Sequence, residues 1–203
     1  GYTVLGWATS DESADLVSSV LVPSGKNVDV YAVWGNGVVW TYGTNGNQKL
    51  SSNVTGRGAD YDEVKPTVND YRIQMPLSLD DGKHGLDAKE YSTVIVRMSS
   101  TAPCRTQIYY KTKFINANGE EQTMGYETDG FAYAEKQSMS LQPAFDGLDN
   151  FKSITFDFMN NDTCSTPGKW RTAKEIVQIY VDPCKVAGQL FRISSISVLG
   201  SPT

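Results

Sequence analysis

Short stretches of alternating apolar and polar residues recur along the chain. The clearest are TVIVRM at 93–98 and RTQIYYKTKF at 105–114, and the isoleucine and phenylalanines at 154, 156 and 158 share one parity of a third stretch. Successive side chains of a strand point to opposite faces of its sheet, so this period of two predicts half-buried β-strands. No segment shows the period of an ordinary amphipathic helix.

Turn-forming dipeptides separate these stretches. Asn-Gly or Asp-Gly pairs stand at 45–46, 81–82, 118–119 and 129–130. Short strands at fairly regular spacing with polar turns between them predict an all-β fold, an antiparallel β-sandwich.

The last predicted strand changes parity part of the way along. Phe191 and Ile193 share one parity, whereas Ile196 and Val198 share the other. A bulge near residues 194–195 inserts one extra residue and would let all four side chains face the core.

Length and charge exclude several classes of protein. The chain has 203 residues, which is enough for one large sandwich or for a medium domain plus a small one. Its net charge is −5 and its basic residues are scattered, so it lacks the basic face that nucleic-acid binding requires. No apolar run reaches the ~18 residues of a membrane helix, and residues 1–9 lack the pattern of a signal peptide. We expect neither nucleic acid nor membrane insertion.

The chain has three cysteines, which limits the disulfides and metal sites that it can form. Cys104, Cys164 and Cys184 form no CxxC pair, which argues against a zinc cluster. Their odd number permits at most one internal disulfide. Cys164 and Cys184 flank a predicted strand and are candidates for it, with reduced, buried cysteines as the alternative.

Candidate catalytic groups are few. The one histidine, His84, lies in a turn-like stretch, so a serine-type triad or a zinc site built on several histidines lacks its residues. Acidic side chains cluster at 11–15, 60–63 and 120–121, without the spacing that places several of them on one strand face for glycoside hydrolysis. We expect no enzyme; a polysaccharide lyase or hydrolase is the less favoured alternative.

Paired aromatic motifs mark the first part of the chain. It opens with GY at 1–2 and GW at 6–7 and continues to YAVW at 31–34. This pattern resembles the second half of the Listeria–Bacteroides B-repeat of internalins. The resemblance implies a partial, β-grasp-like repeat over residues 1–36, of a kind that is strung along bacterial surface proteins, with Trp7 in its core.

The remainder of the chain, residues 37–203, carries an ordered series of short segments. They are GADY at 58–61, LDA at 86–88, VIVRM at 94–98, QIYYKT at 107–112, IVQIYVDP at 176–183 and FRISSI at 191–196. Their order resembles the jelly-roll, galactose-binding-like modules of surface glycan-degrading proteins of Gram-positive bacteria. The resemblance implies a jelly-roll carbohydrate-binding module. Many relatives use an acidic residue in the last strand to hold a structural calcium ion, where this chain has Ser194 and Ser195.

Sugars present apolar C–H faces ringed by hydroxyls, so their sites combine aromatic rings with hydrogen-bonding side chains. In predicted loops the candidate rings are Tyr61, Tyr126, Phe131, Tyr133 and Trp170. On the predicted sheet, the candidates that could share one polar face are Arg97, Arg105, Gln107 and Tyr109.

The leading hypothesis is therefore a non-catalytic polysaccharide-binding module of a secreted or cell-wall-attached protein. Its partners would be a glycan ligand and the neighbouring modules of the same polypeptide. The alternative is an adhesin or spacer domain that contacts protein. An exposed aromatic groove would favour the first hypothesis, and a flat polar surface would favour the second.

Overall fold

Within the residues that the structure describes, the chain forms two antiparallel six-stranded sheets and a two-stranded sheet. The computed structural model describes residues 3–8, 22, 24, 26–35, 37–41, 54–58, 61–69, 71–77, 84–125, 138–161 and 168–200. Its helical content in these ranges is one four-residue α-helix, α1 (Phe158–Asn161), and one 3-10 turn, Trp170–Thr172. The predicted all-β, jelly-roll sandwich is confirmed.

The strands of the first sheet are β6 (Ile73–Pro76), β7 (Leu86–Asp87), β9 (Thr106–Ile115), β10 (Glu121–Gly125), β11 (Ser138–Leu141) and β13 (Glu175–Asp182). They lie in the order β10-β9-β13-β6, with β11 paired to β9 and β7 paired to β13.

The strands of the second sheet are β3 (Gly37–Thr41), β4 (Val54–Arg57), β5 (Asp62–Val64), β8 (Tyr91–Ser100), β12 (Gly147–Asp157) and β14 (Phe191–Gly200). They lie in the order β12-β8-β14-β5-β4, with β3 paired to β14.

Alternate residues of the long strands form the core between the two sheets. Val94, Val96 and Met98 of β8 are fully buried, as are Ile108 and Tyr110 of β9. Burial of a large aliphatic or aromatic side chain contributes about 1.5–3 kcal/mol, so these positions hold the two sheets together. The intervening residues of each strand point to an outer face, and that is where surface chemistry must be sought.

The parity change in the last strand is accommodated by a bulge, as predicted. The pairing of β14 with β8 shifts register between Ile193 and Ser195. Phe191, Ile193, Ile196 and Val198 are all fully buried. One inserted residue thus turns both halves of the strand toward the core.

The first residues form an antiparallel pair, β1 (Thr3–Ala8) with β2 (Tyr31–Gly35). The side chain of Trp7 is 51% exposed, so it does not occupy the core position that the repeat resemblance implied. The division at residues 36 and 37 stays a prediction. No helix in the described ranges is long and apolar enough to span a membrane.

Two cysteines lie next to each other where the segment before β9 meets the segment after β13. Cys104 and Cys184 are buried, free thiols, and Cys104 Sγ lies 3.5 Å from the Pro183 carbonyl oxygen. The hydrogen bond between the two thiols lowers the pKa of Cys184 to about 7 and raises the pKa of Cys104. Because Cys184 is a free thiol, the predicted disulfide between Cys164 and Cys184 is wrong, and the alternative of reduced, buried cysteines holds for Cys104 and Cys184. Cys164 itself lies outside the described residues.

We expect the Cys104→Ala substitution to raise the pKa of Cys184 in a Cys164→Ser background. The substitution removes the hydrogen-bond donor and leaves the burial that disfavours the thiolate. The measurement is thiolate ultraviolet absorbance against pH. Cys104→Ser keeps a donor and should keep the pKa of Cys184 depressed; an unchanged pKa in Cys104→Ala would contradict the assignment.

Candidate functional site

Two tyrosines lie side by side on the outer face of the first sheet. Tyr109 on β9 and Tyr180 on β13 are direct cross-strand partners. Their strand neighbours, including Ile108 and Ile179, enter the core, so both tyrosines point away from it. Together they form a small cluster of their own, separate from the main core. The Tyr180 hydroxyl donates to Gln178 Oε1 at 3.0 Å.

A buried carboxylate with two cations lies beside this pair of rings. Asp182 is fully buried, with Arg72 Nε 3.6 Å from its Oδ1 and Lys185 Nζ 3.9 Å from its Oδ2. Lys185 Nζ also donates to the Tyr109 hydroxyl at 2.9 Å. It lies 5.4 Å from the Tyr109 ring centroid, and Arg72 Cζ lies 5.9 Å from the same centroid. A carboxylate so far from water is tolerated because cations lie beside it.

We call this surface the polar face. Its members share one parity of β9 and β13, or flank them, and they are Arg72, Gln74, Gln107, Tyr109, Lys111, Gln178, Tyr180, Asp182 and Lys185. Tyr109 and Tyr180 are only 7% and 4% exposed, whereas Gln74, Lys111 and Gln178 are half-buried. A ligand would therefore meet the amide and ammonium rim first.

A second group of aromatic and charged side chains lies on the outer face of the second sheet. This Tyr61 cluster consists of Tyr61, Glu63, Arg97, Asp149, Phe151 and Arg192. Arg192 hydrogen-bonds Glu63 at 3.0 Å and Asp149 at 2.6 Å. The Tyr61 and Phe151 ring centroids are 5.8 Å apart, and Arg97 Cζ lies 4.9 Å from the Phe151 centroid.

The Tyr61 ring is half-buried, with protein groups on part of its surface. Arg192 Cζ lies 4.5 Å from its centroid. Gly58 packs so closely that a Cβ built there would clash with Tyr61 Cε1. These contacts brace the second sheet. The ring is more exposed than Tyr109 or Tyr180, and its stacking on a sugar stays a prediction.

Trp170 is a core residue, which corrects its sequence-based placement in a ligand-accessible loop. It is fully buried and stacks on Phe158 with centroids 4.1 Å apart, while Tyr110 meets it edge-on at 5.2 Å. Its indole Nε1 donates to the Tyr91 carbonyl oxygen at 2.9 Å. The polar residues around it give no sign that the 3-10 turn tucks the indole between the sheets.

The predicted sheet residues do not share one face, which is a second correction. Gln107 and Tyr109 lie on the first sheet, whereas Arg97 lies on the second, and Arg105 is exposed just before β9. The reason is that β8 and β9 are consecutive in sequence but belong to different sheets. Alternation gives the side of a strand on which a residue lies and not the sheet to which the strand belongs.

The remaining candidates differ in what the structure says of them. Tyr126, Phe131 and Tyr133 lie outside the described residues. Sequence reasoning missed Tyr180 and Asp182, although Gln178, Tyr180 and Asp182 alternate visibly along β13. No group of three His, Cys, Asp or Glu side chains in the described segments could hold a metal ion. The structural calcium of many relatives, for which this chain has Ser194 and Ser195 in place of the acidic residue, is not tested by these observations.

No family model and no curated protein matches the chain, and membership in the B-repeat family gains no support. Among solved structures, the chain is similar to a family 11 carbohydrate-binding module from Clostridium thermocellum in complex with a β-1,3-1,4-mixed-linked tetrasaccharide. The two are 17% identical, and the match has a TM-score of 0.38 and covers 82% of this chain and 89% of that chain. The family 11 module of a cellulosomal cellulase from the same organism is 18% identical, with a TM-score of 0.36 over 99% and 95%.

A glycoside hydrolase family 43 arabinoxylan arabinofuranohydrolase from Bacillus subtilis in complex with cellotetraose is 12% identical. Its TM-score is 0.37, and the match covers 83% of this chain but 25% of that enzyme. With TM-scores below 0.5, these similarities assign neither a ligand nor an activity to the chain.

Proposed function

We propose that the chain is a non-catalytic carbohydrate-binding module and that a polysaccharide binds at the polar face. The observation that carries the proposal is the pair Tyr109 and Tyr180 on an outer sheet face, surrounded by amide, carboxylate, guanidinium and ammonium groups. Aromatic rings match the C–H face of a sugar, and the polar groups match its hydroxyls.

Binding would begin at the rim of the polar face. The half-buried side chains of Gln74, Lys111 and Gln178 can reach ligand hydroxyls directly. Because Tyr109 and Tyr180 are buried, stacking on either ring requires the residues over it to shift. A single module of this kind binds weakly, and tandem modules in a secreted or wall-attached protein would raise the overall affinity.

The experiment that tests the proposal is native affinity electrophoresis of the chain through gels that contain plant, algal or host polysaccharides. Retardation by one class of glycan supports a binding module and names its ligand. Uniform migration across a broad panel would contradict the proposal and favour an adhesin or spacer.

A loss of affinity is expected when the rim is removed. Lys111 and Gln178 are cross-strand partners on the polar face, so the double variant Lys111→Ala with Gln178→Ala deletes one charged and one amide contact. Each such contact is worth roughly 1 kcal/mol, so affinity for the retarding glycan should fall at least about tenfold. Gel retardation measured against glycan concentration gives the change.

A matched control is available on the opposite sheet. Arg97 and Ser153 are cross-strand partners on the outer face of the second sheet, again one basic and one polar residue. Arg97→Ala with Ser153→Ala should leave retardation unchanged. Loss of binding in this control and not in the rim variant would place the site at the Tyr61 cluster.

One arrangement on the polar face makes a lyase the second candidate function. The Tyr109 hydroxyl accepts a hydrogen bond from Lys185, and Arg72 lies nearby. Tyrosine with basic neighbours can remove a proton in metal-free elimination. Appearance of unsaturated products from any glycan of the panel, followed by ultraviolet absorbance, would contradict the non-catalytic assignment.

A further inference from the structure

One amide on the polar face has an acceptor without a partner. Gln107 is only 2% exposed, and its Nε2 donates to Ser138 Oγ at 2.8 Å. Its Oε1 is buried and accepts no hydrogen bond. A buried carbonyl oxygen that has lost water and gained no donor costs free energy, and such groups are few in native proteins. The unpartnered oxygen therefore calls for a donor that the described residues do not supply.

The position of Gln107 places this oxygen within the proposed binding surface. Gln107 is the direct cross-strand partner of Asp182 and lies two residues before Tyr109 on the same side of β9. In the structure Nε2 donates to Ser138 Oγ, and Oε1 is the end of the amide without a partner. Because Oε1 is buried, a ligand hydroxyl reaches it only when the residues that cover it shift. The amide is held in place before any ligand arrives.

We infer that Gln107 Oε1 accepts a hydrogen bond from a ligand hydroxyl, and that this subsite takes a neutral sugar unit rather than an acidic one. The inference rests on the proposed glycan-binding function. Gln107 Oε1 and the Asp182 carboxylate are neighbouring acceptors, and both are complementary to donors. Vicinal sugar hydroxyls donate, whereas a carboxylate or sulfate offers acceptors alone and would face two acceptors of the protein.

The cations near Asp182 do not reverse this preference. Arg72 and Lys185 are already engaged with the Asp182 carboxylate, and Lys185 also donates to Tyr109. An acidic ligand group would have to compete with a carboxylate that the fold holds in position. A site rejects a ligand strongly when binding would leave buried polar atoms unpaired. It rejects a ligand less strongly when the two differ in shape alone.

The test replaces Gln107 by leucine and, in a second variant of matched length, by methionine. Both changes remove the unpartnered oxygen and also the Nε2 donor to Ser138, so the midpoint of thermal unfolding of the ligand-free chain should change little. Affinity for a neutral glycan, measured by retardation in gels with mixed-linkage β-glucan, should fall about tenfold, as expected for one lost hydrogen bond of roughly 1.4 kcal/mol. Unchanged affinity in a folded variant overturns the inference.

Gels with different glycans distinguish a failure of the inference from a failure of the proposed function. Gels that contain the neutral β-glucan, a polyuronate and a sulfated galactan are run with the unaltered chain. Retardation by the neutral glucan alone supports the inference. Retardation by the polyuronate or the sulfated galactan alone overturns the inference but still supports a binding module. Free migration in all three gels and in the rest of the panel contradicts the proposed function, and the inference with it.

Discussion

Replacement of Trp170 by alanine is expected to lower the free energy of unfolding by about 3–5 kcal/mol. The indole is fully buried, stacks on Phe158 and is flanked by Tyr110. Its removal opens a cavity between the sheets and leaves the Tyr91 carbonyl oxygen without its indole donor. Denaturant unfolding followed by far-ultraviolet circular dichroism gives the change.

Two controls separate packing from the other roles of a tryptophan. Trp170→Phe keeps an aromatic ring against Phe158 and loses the N–H donor, so it should cost less than alanine. Trp7→Ala removes a half-exposed ring and should cost far less. Trp170→Ala could instead unfold at the same denaturant concentration as the unaltered chain and fail to bind glycan. In that case the assignment of Trp170 to the core is wrong and its ring is a ligand platform.

Removal of the Asp182 carboxylate has the second large expected effect. Asp182→Ala takes away the buried negative charge to which Arg72 and Lys185 are paired. Removal of one member of a fully buried charge group typically costs about 3–5 kcal/mol. Arg72 and Lys185 keep 31% and 22% of their side-chain surface exposed, so the cost here should be about 1–3 kcal/mol. The same change perturbs the polar face, so glycan retardation should weaken as well as stability.

The comparison is with an exposed acid whose cationic partner lies closer than either partner of Asp182. Asp149 is 98% exposed and lies 2.6 Å from Arg192. Asp149→Ala should change the free energy of unfolding by less than about 1 kcal/mol, as is usual for a surface pair. Equal and small effects of the two substitutions would mean that the Asp182 group is solvated and is not the buried centre of the polar face.

Local features of the fold could be predicted from the sequence because they depend on neighbouring residues. The alternation at 93–98 defines which side of β8 enters the core, and the parity change between Ile193 and Ile196 is sufficient to predict the bulge. These features follow from the period of two in a strand and from the cost of exposing large apolar side chains. They need no knowledge of which strands pair.

The composition of the candidate site depends on strand pairing, which the sequence did not reveal. Gln107 and Tyr109 were predicted correctly to share a side of β9, but Arg97 lies on the other sheet. The polar face is instead completed by Tyr180 and Asp182, which β13 brings against β9 from some 70 residues away. Trp170 was misplaced for the same reason, since its partners Phe158 and Tyr110 come from distant segments.

The most direct test of the central claim is a titration of the isotope-labelled chain with soluble oligosaccharides of the retarding glycan class, followed by backbone amide chemical shifts. The account predicts that the largest shifts fall on β9, β13 and β6, with Gln107, Tyr109 and Tyr180 among the residues affected. Shifts concentrated on β12 and β14 around Phe151 and Arg192, or no shifts with any glycan, would contradict it.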